Sequence, residues 1–340
     1  MIYLISDYSL GAHPKVMQAL METNLEHTDG YGLDRFSDEC TELIREWIGK
    51  PEADVHYFVG GTPCNTTVIS AGLRPYEGVI TPSTGHIYVH ETGSIESTGH
   101  RQFAMPTKDG KLRPEDIETA LLHHEDEHTV IPKMVYITQP TENGGVYTKA
   151  EMTALSNCCR KHNLTFYIDG ARLGTALTWP ENDLTIQEIA DLADAFYIGG
   201  TKIGALFGEA LVLTPEKFDD RFRYMIKRQG AFLAKGRLIA VQLKALFAGG
   251  EDSLYFALSR HENELAIKLA NGIVEAGYEL WVPHQTNQVF VIMDNAKIGE
   301  LEKEFVFYTW CPYDENRSVI RLVTSWGTTE EDVDALLKAL

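Results

Sequence analysis

The sequence is poor in basic residues. Against 49 Asp and Glu stand 30 Lys and Arg, a formal net charge of −19 at pH 7. Such a surplus repels phosphate backbones and anionic lipid, so neither nucleic acid nor a membrane surface is an expected partner. Cysteines are few and lack a pairing pattern: Cys40, Cys64, Cys158, Cys159 and Cys311 are an odd number with no CxxC spacing. That argues against a disulfide framework and for free thiols in a reducing, cytoplasmic setting. Long apolar runs are missing too. The most apolar long window, 195–213, is rich in glycine and is interrupted by Lys202 and Glu209, so no membrane span is expected. The opening Met1-Ile2-Tyr3-Leu4-Ile5-Ser6-Asp7 has no basic stretch and an early acid, unlike a signal peptide. Internal repeats and low-complexity tracts are absent.

What is present is ordinary globular composition over 340 residues, 44% hydrophobic and 23% charged. That length suggests one large domain and a smaller one. Short apolar runs at 55–59, 134–138, 165–168 and 195–198 read as buried strands. Helical patterns lie between them at 114–123, 148–162 and 186–193, and Thr148-Lys149-Ala150-Glu151 has the form of a capping box. Strands alternating with helices predict an α/β fold with a mostly parallel sheet covered on both faces. After about Phe222 the texture changes. A long helical stretch over 236–276, broken near Gly249-Gly250, leads to strands at 289–292, 305–307 and 318–323, a short helix near 298–303 and a closing helix from Thr329. The expected division is a large α/β domain over 25–235 and a small α+β domain over 236–340, with 1–24 packing on either.

In an open parallel sheet, ligands bind beyond the carboxyl ends of the strands. After 55–59 comes Gly60-Gly61-Thr62-Pro63-Cys64-Asn65, then a helix. Glycines there let backbone N–H groups face an anion, and phosphate is the natural guest. No GK[ST] follows and the G-x-G-x-x-G spacing is absent, so this is neither a P-loop nor a dinucleotide fingerprint. A tight strand-to-helix turn is the plainer alternative. After 165–168 comes Asp169-Gly170-Ala171-Arg172, an acid at a strand end that is either an N-cap or the partner of a cation. After 195–198 comes Gly199-Gly200-Thr201-Lys202, a lysine among glycines that is either a surface turn residue or a desolvated amine. Together, a phosphate cradle, a strand-end Asp and a desolvated Lys suit pyridoxal 5'-phosphate. Its lysine must be neutral to form a Schiff base, and its ring nitrogen needs a carboxylate.

At this point the sequence resembles the threonine aldolases of the aspartate-aminotransferase-type, pyridoxal-phosphate-dependent fold, grouped with the β-eliminating lyases. Ile5-Ser6-Asp7 is similar to that family's start and Tyr31-Gly32-Leu33-Asp34 to its YGxD stretch. Gly61-Thr62-Pro63-Cys64-Asn65 resembles its phosphate loop. His86, with Glu91 and Gly93 behind it, resembles the histidine that stacks on the cofactor ring. Asp169-Gly170-Ala171-Arg172 matches the DGAR motif, and Lys202 falls at the Schiff-base lysine. Thr286-Asn287-Gln288-Val289-Phe290 and Arg321-Leu322-Val323-Thr324 resemble two motifs of the small domain.

The resemblance implies retro-aldol cleavage of a β-hydroxy-α-amino acid to glycine and an aldehyde. It assigns Lys202, Asp169, His86, Gly61, Thr62, Asn65, Arg172 and Lys235 to the cofactor, and Ser6, Tyr31, Arg172 and Arg321 to the substrate. His86, Glu142 or a bound water would take the hydroxyl proton. It also implies a homodimer or homotetramer. Three positions depart from the family. Glu142 stands where better-known members have a histidine, Gly-Gly-Thr-Lys replaces a Ser-Lys, and Lys235 replaces an arginine near the phosphate. Two other lyase readings remain: β-elimination, and cleavage of a bulkier, phenylserine-type substrate. A fold that kept its shape and lost catalysis is a third. Outside this chemistry, His124-Glu125-Asp126-Glu127-His128 fits H-E-x-x-H, a zinc-hydrolase signature. Its acidic interior, the lack of a clear third ligand and the Pro132 that follows favour a solvated helix end instead.

Overall fold

The computed structural model describes residues 1–122, 124, 126–214, 217–218 and 221–340. Among the described residues, seven strands form the main sheet, in the order Asp54–Phe58, Glu209–Leu213, Ala195–Gly199, Thr165–Asp169, Ile131–Thr138, Glu77–Pro82 and Arg101–Met105. The last five pair parallel, and Glu209–Leu213 runs antiparallel to both its neighbours. The central strands Thr165–Asp169 and Ala195–Gly199 are buried along their whole length. That is why they read as unbroken apolar runs rather than alternating ones. The strands Glu77–Pro82, Arg101–Met105 and Glu209–Leu213 escape the sequence reading. Arg101–Met105 is a half-polar edge strand, and Glu77–Pro82 carries a glycine and ends in proline. Glu209–Leu213 follows a glycine-rich turn so closely that the two read as one window.

The helices fall near their sequence signals. Thr148 caps Lys149–Lys161 through the expected box with Glu151, and Thr185 caps Ile186–Leu192 likewise. The long helical stretch breaks at the glycine pair into Arg237–Phe247 and Leu254–Glu275. Arg237–Phe247 buries its apolar side in the core of the main sheet. Leu254–Glu275 begins in that core with Tyr255, Phe256 and Leu258, and ends in a second core with Leu265, Leu269 and Ile273. The second core lies under an antiparallel sheet of Tyr308–Pro312, Arg317–Val323, Gln288–Asp294 and Glu279–Leu280. Of these, Tyr308–Pro312 was not expected from the sequence, because its residues are mostly exposed and polar-aromatic.

The N-terminal segment joins both parts. Ile2–Tyr3 pairs parallel with Phe305–Val306, and Leu4 lies in the second core. The helix Pro14–Thr23 places Val16 in the first. Between them, Asp7 is carried to the carboxyl ends of the main strands.

Candidate active site

Those strand ends open on a cavity of about 620 Å³ that also takes in Tyr308, Trp310 and Arg321 of the second sheet. Its floor is built by strand register. Tyr167 and Asp169 share a face of Thr165–Asp169, Tyr136 pairs with Tyr167, and Tyr197 lies one strand further on. Asp169 therefore accepts hydrogen bonds from the hydroxyls of Tyr136 (2.6 Å) and Tyr197 (2.5 Å). It also accepts from the Asn65 amide (3.1 Å) and the Ala171 N–H (3.1 Å). The carboxylate is buried and held from four sides, so its direction into the cavity is set before any ligand arrives.

Asn65 extends this network sideways. It donates to Glu91 Oε1 at 2.8 Å and accepts from the Tyr167 hydroxyl at 2.7 Å. Glu91 in turn holds His86 Nδ1 at 3.0 Å and accepts from the Ser94 hydroxyl at 2.7 Å. His86 starts the short helix after Glu77–Pro82 and lines the cavity. Burial works against its charged form, but the Glu91 hydrogen bond and the charges of Glu142 and Asp169 raise its pKa above the ordinary value. Because Nδ1 is engaged, Nε2 is the ring nitrogen left for chemistry.

On the opposite side, the helix Gly61–Gly72 starts at the cavity with no side-chain cap and no acid in its first turn. Its free N–H groups and positive dipole end suit a phosphate. A Cβ at Gly60 would meet only open space, whereas one at Gly61 would come within 2.7 Å of the Tyr197 hydroxyl that serves Asp169. Lys202 lies in the turn after Ala195–Gly199. Burial and then the Arg172 charge lower its pKa, against the pull of Asp7, Glu142 and Asp169. A neutral amine is the form a carbonyl partner needs.

The two arginines differ. Arg172 spends its Nε–Nη2 edge on Asp7, at 2.5 and 3.1 Å, and Asn287 braces the same carboxylate at 2.9 Å. That edge is closed to a substrate. Arg321 stands on Arg317–Val323 with its guanidinium over the rings of Tyr308 (5.5 Å) and Trp310 (5.2 Å). Its Nε is buried without a hydrogen-bond partner, and Nη1 reaches only Gln288 Oε1 at 3.5 Å. A half-buried guanidinium with an unpartnered donor is a receiver for a carboxylate.

The structure thus gathers Lys202, Asp169, His86, Glu142, Gly61, Thr62, Ser6, Arg172 and Arg321 around one cavity. It does not bring Asn65, Tyr31 or Lys235 to it. Asn65 is fully buried behind Asp169. Tyr31 has a positive φ of 61°, bonds Ala234 through its N–H, and lines a separate cavity with Arg223 and Phe232. Lys235 is exposed on the adjoining segment. The H-E-x-x-H stretch is not one helix face. The helix Pro114–Leu121 stops short of it, His128 is exposed in a turn, His124 packs edge-on against Phe103, and Glu125 lies outside the described residues. Sequence reasoning missed the roles of Asp7, Tyr136, Tyr197, His90, Tyr308, Trp310 and Glu209. Tyr136 and Tyr197 left a signal: each lies in an apolar strand whose neighbour ends in Asp.

Comparison with known proteins agrees with this geometry. The family model described as beta-eliminating lyase matches residues 4–296. The chain belongs to the β-eliminating lyase family. A low specificity L-threonine aldolase of Pseudomonas sp. (strain NCIMB 10558) is 30% identical, over 97% of this chain and 94% of that protein. The corresponding enzyme of Escherichia coli (strain K12) is 26% identical, over 98% and 96%. The solved structure of Leishmania major threonine aldolase superposes with a TM-score of 0.97 at 43% identity, covering 99% of this chain and 98% of that one. Thermus thermophilus aspartate aminotransferase, at 16% identity and a TM-score of 0.72, shares the fold. As a β-eliminating lyase of this fold, the protein is a pyridoxal-phosphate-dependent enzyme. The uncapped helix start, the lysine whose pKa burial lowers and the fixed Asp169 carboxylate are the three features that suit that cofactor.

Proposed function

We propose that the protein cleaves L-threonine-like β-hydroxy-α-amino acids to glycine and an aldehyde. The observation that carries this is Arg321 lining the same cavity as Lys202 and His86 with its Nε unpartnered, in a chain similar over nearly its whole length to L-threonine aldolases. Lys202 would hold the cofactor, Gly61 and Thr62 its phosphate, and Asp169 would keep a proton on its ring nitrogen. When bound, pyridoxal phosphate supplies an electron-withdrawing ring conjugated to the substrate Cα. Arg321 takes the substrate carboxylate in a bidentate grip and so orients the Cα–Cβ bond. Arg172, occupied by Asp7, contributes charge and shape. His86 Nε2 accepts the β-hydroxyl proton as the Cα–Cβ bond breaks, and Glu91 stabilises the imidazolium. Glu142, whose charge acts on His86, Lys202 and both arginines, tunes that site.

A second reading has its own support. His90, Tyr308 and Trp310 form an aromatic wall beside Arg321, with His90 and Trp310 ring centroids 6.1 Å apart. Such a wall suits an aryl β-substituent, as in phenylserine. Tyr31 and Lys235 lie together away from this chain's own cavity. A homo-oligomer in which a second copy presents that segment to the cavity accounts for their resemblance to site motifs. Five free cysteines, four of them buried, support a reducing cytoplasmic setting. Among the described residues no helix is long and apolar enough to cross a membrane.

The test is borohydride reduction of the holoenzyme with peptide mapping, then product analysis over threonine, allo-threonine and phenylserine. The expected result is a pyridoxyl tag on Lys202, and glycine with aldehyde in equal amounts. Lys202→Ala should lose the tag and the activity together. A tag elsewhere, or pyruvate and ammonia in place of glycine, would overturn the assignment.

A further inference from the structure

Glu209 has no part in the reaction above, yet it is built into the same cavity. It opens the wholly buried strand Glu209–Leu213, where a carboxylate gains nothing from packing. A buried carboxyl is costly unless its oxygens are hydrogen-bonded. Here Oε2 accepts from the Gly200 N–H at 2.9 Å and Oε1 from the Thr201 hydroxyl at 2.7 Å. The Thr201 oxygen also accepts from the Gly208 N–H at 2.9 Å, and the Gly200 N–H also reaches the Gly208 carbonyl at 3.0 Å. Gly200 and Thr201 immediately precede Lys202, and Gly208 immediately precedes Glu209. The carboxylate therefore ties the two ends of the lysine-bearing turn together.

We propose that Glu209 is a positioning residue for Lys202, holding the 200–208 turn in place and setting a negative charge behind the lysine. The groups that face it are Lys202 and Asp169 at the cavity, Tyr197 on the neighbouring strand, Cys64 on the helix Gly61–Gly72 and Tyr255 on the helix Leu254–Glu275. Lys202 is the one cation among them. Burial brings the Glu209 carboxyl up to about 7, against the donors on Thr201 and Gly200 and the nearby Lys202 charge. Its charge therefore changes near neutral pH. An ionised Glu209 favours the protonated form of the lysine–cofactor linkage, and a neutral one disfavours it.

This inference rests on Lys202 carrying the cofactor, which the wild-type tag tests on its own. The experiment is an absorbance titration of the lysine-linked cofactor band in the holoenzymes of wild type, Glu209→Gln, Glu209→Asp and Thr201→Val, with kcat, KM and thermal midpoint for each. Glu209→Gln keeps the band but moves its titration midpoint down by about half a pH unit or more. Its kcat falls about tenfold with KM within about twofold, because ground-state substrate binding is untouched. Glu209→Asp keeps the charge and restores the midpoint, while its shorter reach leaves kcat below wild type. Thr201→Val removes one of the two bonds without touching the carboxylate and moves the midpoint the same way by less. It also serves if Glu209→Gln does not fold. A wild-type tag elsewhere sinks the functional reading and this proposal with it. A tagged Lys202 with an unmoved midpoint in Glu209→Gln and Thr201→Val, or a kcat loss that follows only the thermal midpoint, sinks this proposal alone.

Discussion

The floor of the cavity and its far wall are made differently. On the floor, Asp169 has four donors, Asn65 uses both ends of its amide, and Glu91 accepts on both oxygens. On the wall, the donors Arg321 Nε and Gln288 Nε2 are buried without partners. A saturated network is rigid before ligand arrives and aims its groups at fixed points. An unsaturated one carries a desolvation cost of about 1–3 kcal/mol per buried group that an incoming carboxylate can relieve. The floor is therefore suited to a resident cofactor, and the wall to a substrate that comes and goes.

Breaking the floor should cost most. Asp169→Asn keeps the shape but removes the charge facing the ring nitrogen. We expect kcat to fall by about 10²–10³-fold or more, with cofactor still bound. Turnover assays with a cofactor absorbance spectrum check this, and near-normal turnover would remove the role given to Asp169. Breaking the wall should act on binding instead. Arg321→Leu deletes a charge-assisted pair worth about 2–5 kcal/mol, so kcat/KM should drop by roughly 30- to 5000-fold, most of it in KM. A loss confined to kcat would mean that the carboxylate is held elsewhere.

The same contrast explains what the sequence could reveal. Floor residues sit at the ends of continuous apolar strands, so Asp169 and Lys202 stood out as charges where none belong. Helix starts were legible because Thr148 and Thr185 carry local capping signals. The wall was not legible. Tyr308–Pro312 is half-exposed and lacks a strand period, and its pairing with Arg317–Val323 is set by tertiary contact. Arg321 entered the reading through motif resemblance alone. The Asp7–Arg172 pair spans 165 residues, and no local pattern announces it. Arg172 accordingly looked like a substrate ligand when its better edge serves the fold. Glu209 left one trace, an acid breaking an apolar window, and its meaning depended on a turn that only the folded chain closes.

The smallest effect should come from the join between floor and base. Glu91 touches His86 at Nδ1, away from the nitrogen that takes the proton. The ring must be neutral to act as a base, so activity rises with pH through the His86 pKa. That pKa lies above the ordinary 6.5 although burial opposes it, because the Glu91 hydrogen bond and the Glu142 and Asp169 charges favour the charged ring. Glu91→Gln keeps an acceptor and deletes the charge. The acid limb of the kcat profile should then move to lower pH by about one unit. The plateau should fall by about tenfold or less, since a weaker base transfers the proton less readily. The variant should therefore compare best with wild type on the acid side and worst at high pH. A kcat profile recorded across the limb decides it. An unmoved limb would mean that His86 is not the group that titrates there, and Glu142, whose charge acts on His86, would become the candidate base.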